Sequence, residues 1–193
     1  ISNKSRKNRY KNKLSGAKNT ARLIERVLNL KYIKVRLTGK CNCSCDMCSV
    51  KYQKCDLDFL KVKRAIHQAR LLNVEIINFT GGEPTIYPHI GELMQQVKQE
   101  GMKLSLSTNG VFDKRACQRI IKFADSVDIS LDSYECGVHD RIRGVKGGFD
   151  RAISNIKLIK KAGKIVHINV TIRPDNYISI HRMVPLLSGH IDS

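Results

Sequence analysis

The stretch "TGKCNCSCDMCSV", residues 38–50, places Cys41, Cys43, Cys45 and Cys48 within eight positions. Thiolates ligate soft metals and carry redox exchange, so such a loop narrows the available chemistry at once. Cys41, Cys45 and Cys48 form C-x3-C-x2-C. Three thiolates on one tight loop can each take one iron of a [4Fe–4S] cube, leaving the fourth iron open to a substrate or cofactor. A ferredoxin-type carrier closes its cube with a fourth cysteine. Two other readings stay open on these residues alone. Cys45-Asp-Met-Cys48 is a C-x-x-C between a strand and a helix, as in thiol–disulfide exchange, but that leaves Cys41 without a use. All four thiols can instead surround zinc, although structural zinc sites draw on two separated ligand pairs. Cys43 falls between members of the spacing and is expected to point away from a cube. Cys55, Cys117 and Cys136 are scattered and read as core or surface thiols.

Four further stretches have residue types suited to a site: "GGEP" (Gly81–Pro84), "STNG" (Ser107–Gly110), "ISLDS" (Ile129–Ser133) and "HDRIRG" (His139–Gly144). Paired glycines let a backbone approach a ligand without a Cβ in the way, and Pro84 stiffens the turn that follows. Arg141 and Arg143 suit a carboxylate or phosphate, with a solvated loop as the plainer reading. The six histidines show no paired metal-binding spacing and take no role.

The elements that position these residues alternate. "KYIKVRL", "VEIINFT", "MKLSLS", "SVDISL" and "KIVHINVTI" read as strands, and helices are expected from about Leu57 to Leu72 and over "IGELMQQVKQEG", "DKRACQRIIKFA", "GFDRAISNIKLIKKAG" and "ISIHRMVPLLSG". A longer loop is expected after the fourth strand. Gly101 and Gly163 close their helices. Five strand–helix units, with "IDS" opening a sixth strand, give an α/β fold on a parallel sheet with right-handed crossovers. Runs of β-branched residues suggest strands covered on both faces. Periodicity does not choose between an open doubly wound sheet and a barrel. Either way the cysteines, the double glycine, "TNG" and "DS" all follow strand ends, which share the ligand-binding face of parallel α/β folds.

The C-x3-C-x2-C loop after the first strand, with Gly81–Pro84 after the second, resembles the radical S-adenosylmethionine superfamily over residues 31–193. "HDRIRG" followed by "GGFDRAISNIKLIKKAG" is similar to the branch holding the molybdenum-cofactor cyclase and SPASM-type peptide-modifying enzymes. The resemblance implies a partial (β/α)6 TIM-like barrel with a [4Fe–4S] cluster on Cys41, Cys45 and Cys48. Its open iron chelates S-adenosylmethionine. Reductive cleavage then gives a 5′-deoxyadenosyl radical that abstracts a hydrogen atom from a substrate. The same resemblance assigns cofactor contacts to Gly81, Gly82, Glu83 (to the ammonium), Asn109 and Ser130, with Ser107 and Thr108 as weaker candidates. Met47 occupies a position that is usually aromatic and lies beside adenine. The resemblance also implies a low-potential electron donor such as ferredoxin or flavodoxin, and a peptide or small-molecule substrate.

The totals set outer bounds. With 193 residues and 41% hydrophobic content the chain can bury a core. No apolar run approaches a membrane span, and seven cysteines without a secretory signal fit a reducing, cytoplasmic setting. The chain begins at Ile1 and stops at "HIDS", so a fragment lacking its C-terminus is expected. The net charge of +18 is uneven: residues 1–40 hold 13 Lys/Arg and one acidic residue, Glu25. Residues 1–18 read as a basic flexible arm, 19–30 as an amphipathic helix and 31–193 as the core domain. The arm reads as a solvated tail, and nucleic acid is not its expected partner. The alternative function is a zinc- or thiol-based module whose basic arm docks on nucleic acid.

Overall fold

A computed structural model describes residues 30–50 and 55–188. The basic arm, all but Leu30 of the expected helix over 19–30, and the expected sixth strand lie outside the described residues. Five strands form one parallel sheet in the order β1 (Tyr32–Thr38), β2 (Ile76–Gly81), β3 (Lys103–Thr108), β4 (Ser126–Ser130) and β5 (Ile165–Asn169). The helices are α1 (Phe59–Leu71), α2 (Ile90–Gln99), α3 (Lys114–Phe123), α4 (Cys136–Arg143), α5 (Gly148–Lys161) and α6 (Met183–Leu187). Short 3-10 turns cover Pro84–Ile86 and Tyr177–Arg182.

Strand order decides between the two architectures. A doubly wound sheet reverses direction from its first strand, whereas this order runs one way. Right-handed crossovers then put every helix on one face. The residues agree. Leu37, Ile77, Phe79, Leu104, Leu106, Val127, Ile129 and Val166 point to that face. They join one core with Val62 and Ile66 of α1, Leu93 and Val97 of α2, Ile120 of α3, and Ile156 and Ile159 of α5. The alternate positions are polar and turn to the concave side, where Asn78 Nδ2 donates to Ser105 Oγ (2.9 Å) and Ser107 Oγ donates to Asp128 Oδ2 (3.2 Å). The strands are thus covered by helices on one face only, which corrects the expectation of cover on both. The fold is the expected partial TIM-like barrel, its wall running from β1 to β5.

Local chemistry sets the helix ends. Asp58 and Asp113 cap α1 and α3 by accepting from Lys61 N (2.9 Å) and Ala116 N (2.8 Å). Gly101 and Gly163 end α2 and α5 at φ 77° and 73°, in the left-handed region. Two expectations need correction. The segment after β4 is not a loop throughout, because His139 and Ile142, three apart, bury one face of α4 and Gly144 terminates it at φ 60°. The single helix expected over "ISIHRMVPLLSG" is a 3-10 turn followed by the five residues of α6.

Candidate active site

The cysteine loop leaves the sheet at Thr38 and is tied down at once. Gly82 N donates to Thr38 O (2.6 Å) and Glu83 N donates to Lys40 O (2.8 Å). An added Cβ at Gly81 would lie 2.5 Å from Thr38 O, and one at Gly82 would lie 2.2 Å from Lys40 O. Both glycines are therefore required by the neighbouring backbone, not only by a ligand. Asn42 Nδ2 donates to Val111 O (2.5 Å), and Ser44 N donates to Arg143 O (3.0 Å). Arg173, beyond β5, grips Asp46 with both terminal nitrogens at 2.7 and 2.9 Å. The guanidinium beside Asp46 holds that carboxyl below its usual value.

All seven cysteines are free thiols. Cys41, Cys45 and Cys48 line one cavity of about 380 Å³, together with Met47, Gly81, Gly82, Ser107, Thr108, Asn109 and Ser130. Cys43 is buried beneath the loop and also borders the cavity. Asn109 Nδ2 reaches its sulfur at 3.1 Å. Cys43 also governs its neighbour: a hydrogen bond from its thiol, opposed by burial, and another from its backbone N–H (3.4 Å) lower the Cys41 thiol from its ordinary value. Donating to Cys41 and being buried both raise the Cys43 thiol. Within the pair the contact favours charge on Cys41 over Cys43. Burial raises Cys45, with Arg143 opposing. Among the described residues, no three His, Cys, Asp or Glu side chains converge to hold a single ion. Cys117 is buried among the apolar side chains of the core, and Cys55 and Cys136 are exposed.

Glu83 is held from within the fold. Its carboxylate is fully buried and does not line the cavity. Oε1 accepts from Thr85 N (3.1 Å), Thr85 Oγ1 (2.7 Å) and Thr108 Oγ1 (2.7 Å), and Oε2 accepts from Asn109 N (2.8 Å). Burial raises its pKa and these four donors pull the other way. The group joins the end of β2 to the end of β3, which is the physical reason it faces inward. Asn109 extends the brace: Nδ2 donates to Asn42 Oδ1 (2.7 Å) and its Oδ1 accepts from Val111 N (2.7 Å). Ser130 and Met47 reach the cavity from β4 and from the loop.

Sequence reasoning placed Asp132 at the end of the fourth strand without a role of its own, and left Arg143 between an anion contact and a solvated loop as the plainer reading. Arg141 does fit a solvated reading, at 64% side-chain exposure with a 3.6 Å contact to Asp175. Arg143 does not. Its side chain is 12% exposed, and Nε lies 2.6 Å from Oδ2 of the fully buried Asp132. The atoms are off line for a hydrogen bond, so the contact is an ion pair. Asp132 Oδ1 accepts from Thr171 N (2.9 Å). His139, also given no role, is fully buried; its Nδ1 accepts from Asp132 N (3.2 Å) and its ring meets Phe149 edge-on. Burial, with Arg143 adding to it, lowers its pKa. The available signal was the pairing of "SLD" with "HDRIRG", a carboxylate and an arginine bracketing one short segment.

Known proteins are similar to this chain in sequence and in fold. The chain is 29% identical over 153 residues to the antilisterial bacteriocin subtilosin biosynthesis protein AlbA of Bacillus subtilis, covering 76% of this chain and 34% of that protein. It is 32% identical over 160 residues to the mycofactocin maturase MftC of Mycobacterium tuberculosis, covering 80% and 41%. It is 30% identical over 145 residues to a probable GTP 3′,8-cyclase of Thermococcus kodakarensis, covering 72% and 47%. The chain therefore spans less than half the length of these relatives. In fold it is similar to SuiB of Streptococcus suis bound to S-adenosylmethionine, with TM-score 0.75 and 22% identity over 84% of this chain and 39% of that one. Among the described residues no helix is long and apolar enough to cross a membrane. The matching family model, the Radical SAM superfamily, covers residues 35–186; its members are enzymes that use a [4Fe–4S] cluster and S-adenosylmethionine. With that match spanning the sheet and every cavity-lining motif, the chain belongs to the radical S-adenosylmethionine superfamily.

Proposed function

We propose that Cys41, Cys45 and Cys48 hold a [4Fe–4S] cluster and that the cavity they line receives S-adenosylmethionine. The observation that carries this reading is that the three thiols share one cavity with Gly81, Gly82, Asn109 and Ser130. The donor set fits the group: soft thiolates on a single loop, each free to take a different iron, with a protein-free corner facing the cavity. Bound there, the cluster and cofactor would supply one-electron reductive cleavage of S-adenosylmethionine for hydrogen-atom abstraction from a substrate.

The chain's own residues prepare the place. The proton-donating contacts from Cys43 and Asn109 favour a thiolate at Cys41. Gly81 and Gly82 present backbone to the cofactor's methionine end, and Glu83 acts from behind them by fixing the β2 and β3 exits. Ser130 and Asn109 offer polar contacts to the cofactor, and the flexible, polarizable Met47 packs beside its base. A ferredoxin or flavodoxin is the electron donor class this chemistry calls for. The substrate is a peptide or small molecule, as the relatives' range of names suggests.

Anaerobic reconstitution with iron and sulfide tests the assignment. Wild type and Cys43→Ala are expected to hold about four irons per chain, and alanine at Cys41, Cys45 or Cys48 is expected to abolish that content. S-adenosylmethionine should change the spectrum of the two loaded proteins. Loss of the cluster in Cys43→Ala with retention in Cys41→Ala would overturn the ligand set, and one colourless ion per chain would favour the zinc module.

A further inference from the structure

We propose that Arg143 is a positioning residue for the cluster, holding a guanidinium N–H against the sulfur of Cys45 so as to raise the reduction potential of the iron–sulfur centre. The inference rests on the reading that Cys45 is a ligand.

Three independent features place the charge there. Arg143 Nη1 lies 3.9 Å from Cys45 Sγ, while Nε, at another edge of the same plane, faces Asp132 at 2.6 Å. A guanidinium is rigid and flat, so fixing one edge aims the other. The anchor is itself fixed, because Asp132 is fully buried and holds Thr171 N through its second oxygen.

The backbone repeats the grip. Arg143 O accepts from Ser44 N at 3.0 Å, so one residue clamps Ser44 by its carbonyl and Cys45 by its side chain. The next residue permits the approach: Gly144 sits at φ 60°, and a Cβ there would lie 2.5 Å from Ser44 O. No other side chain in this position has room.

A stabilising role does not account for the pair. Replacing a buried ion pair by apolar groups is often neutral or favourable, so burying one is a poor way to gain stability. What it does well is hold a charge at a chosen point. The carboxylate lies at the far edge, and the positive edge is turned to the sulfur. Reduction adds negative charge to a cluster that three thiolates have made electron-rich. A cation and an N–H···S contact stabilise that added charge, and such contacts are an established lever on cluster potential.

The test compares wild type with Arg143→Gln and Arg143→Lys after anaerobic reconstitution, without S-adenosylmethionine. Circular dichroism and iron content are recorded first, then the midpoint by spectroelectrochemistry. Arg143→Gln is expected to keep its iron but to reduce roughly tenfold less favourably, a midpoint about 59 mV lower for one electron. Arg143→Lys keeps the charge without the rigid fork and should fall between. Wild-type midpoints in both variants would overturn the inference. So would loss of the cluster from both with native circular dichroism, which would make the role purely structural. Unchanged midpoints with weakened S-adenosylmethionine binding would reassign Arg143 as a cofactor anchor. If wild type itself takes no cluster, the underlying reading fails first, and it does so before any Arg143 variant is compared.

Discussion

A methyl group at Gly82 tests how the site is built. Its Cβ would lie 2.2 Å from Lys40 O, 2.6 Å from Lys40 C and 2.8 Å from Gly39 O. All three are backbone atoms, so no side chain can swing aside. Restoring ordinary contact distances requires the cysteine loop to retreat by roughly 1 Å. Overpacking of this kind costs about 1–3 kcal/mol. The retreat also breaks the Glu83 N to Lys40 O hydrogen bond, now 2.8 Å, worth ~0.5–1.5 kcal/mol. The expected loss in Gly82→Ala is therefore about 2–4 kcal/mol, which lowers Tm by ~4–16 °C in a chain of this size. Thermal unfolding followed by circular dichroism measures this. Iron content after reconstitution should fall as well, because Lys40 directly precedes Cys41. Gly137→Ala, inside α4 with nothing within 4 Å of its Cβ, is the control. It should be neutral or stabilising, since alanine favours a helix. Wild-type Tm and full iron content in Gly82→Ala would refute the claim that the glycines seat the loop.

Two further outcomes are expected. Asp132→Ala strands a buried guanidinium and should cost ~3–5 kcal/mol in denaturant unfolding, with Asp132→Asn milder; a loss below about 1 kcal/mol would count against the pair as drawn. Glu83→Gln removes one acceptor from two opposed backbone donors, at ~1–3 kcal/mol, and also removes a titration. Burial raises the folded pKa of Glu83 above its ordinary 4.5. Its contribution is fully present below that value and is lost as pH rises through the folded pKa. The stability of wild type should thus decline over that window relative to Glu83→Gln, and parallel curves would refute the assignment.

How much of this was legible depends on how local the cause is. The strands were readable because their alternation is carried by adjacent residues, as in "KLSLS" of β3. The three spaced cysteines were readable because the loop itself sets their separation. The concave polar face was also present in the letters, as Asn78, Ser105, Ser107 and Asp128 at alternate positions. It was misread because β-branched neighbours suggested cover on both faces. The barrel could not be chosen over a doubly wound sheet because strand order is a long-range property. The surroundings of Glu83 were hidden for the same reason: its carboxylate is held by donors from Thr108 and Asn109, 25 and 26 residues away. Arg143 pairs with Asp132 across a helix that the sequence suggested was loop.

The contacts of the cysteine loop share one design. The loop begins at the end of β1, yet it is held from beyond every other strand. Gly82 and Glu83 hold it from β2, Asn109 and Val111 from β3, Arg143 from the segment after β4, and Arg173 from the segment after β5. A closed four-cysteine cube brings its own fourth tether. A three-cysteine cube leaves one corner free, so the geometry of that corner depends on how firmly the loop is fixed to the wall. In this chain that firmness comes from backbone hydrogen bonds and close glycine contacts at Thr38 and Lys40, and from the side chains of Asn42, Asn109 and Arg173. On the proposed cluster assignment, the double glycine and Glu83 would set the open corner through the loop they hold. A substitution there should impair cofactor binding in proportion to the displacement of the loop, not to the chemistry of the side chain introduced.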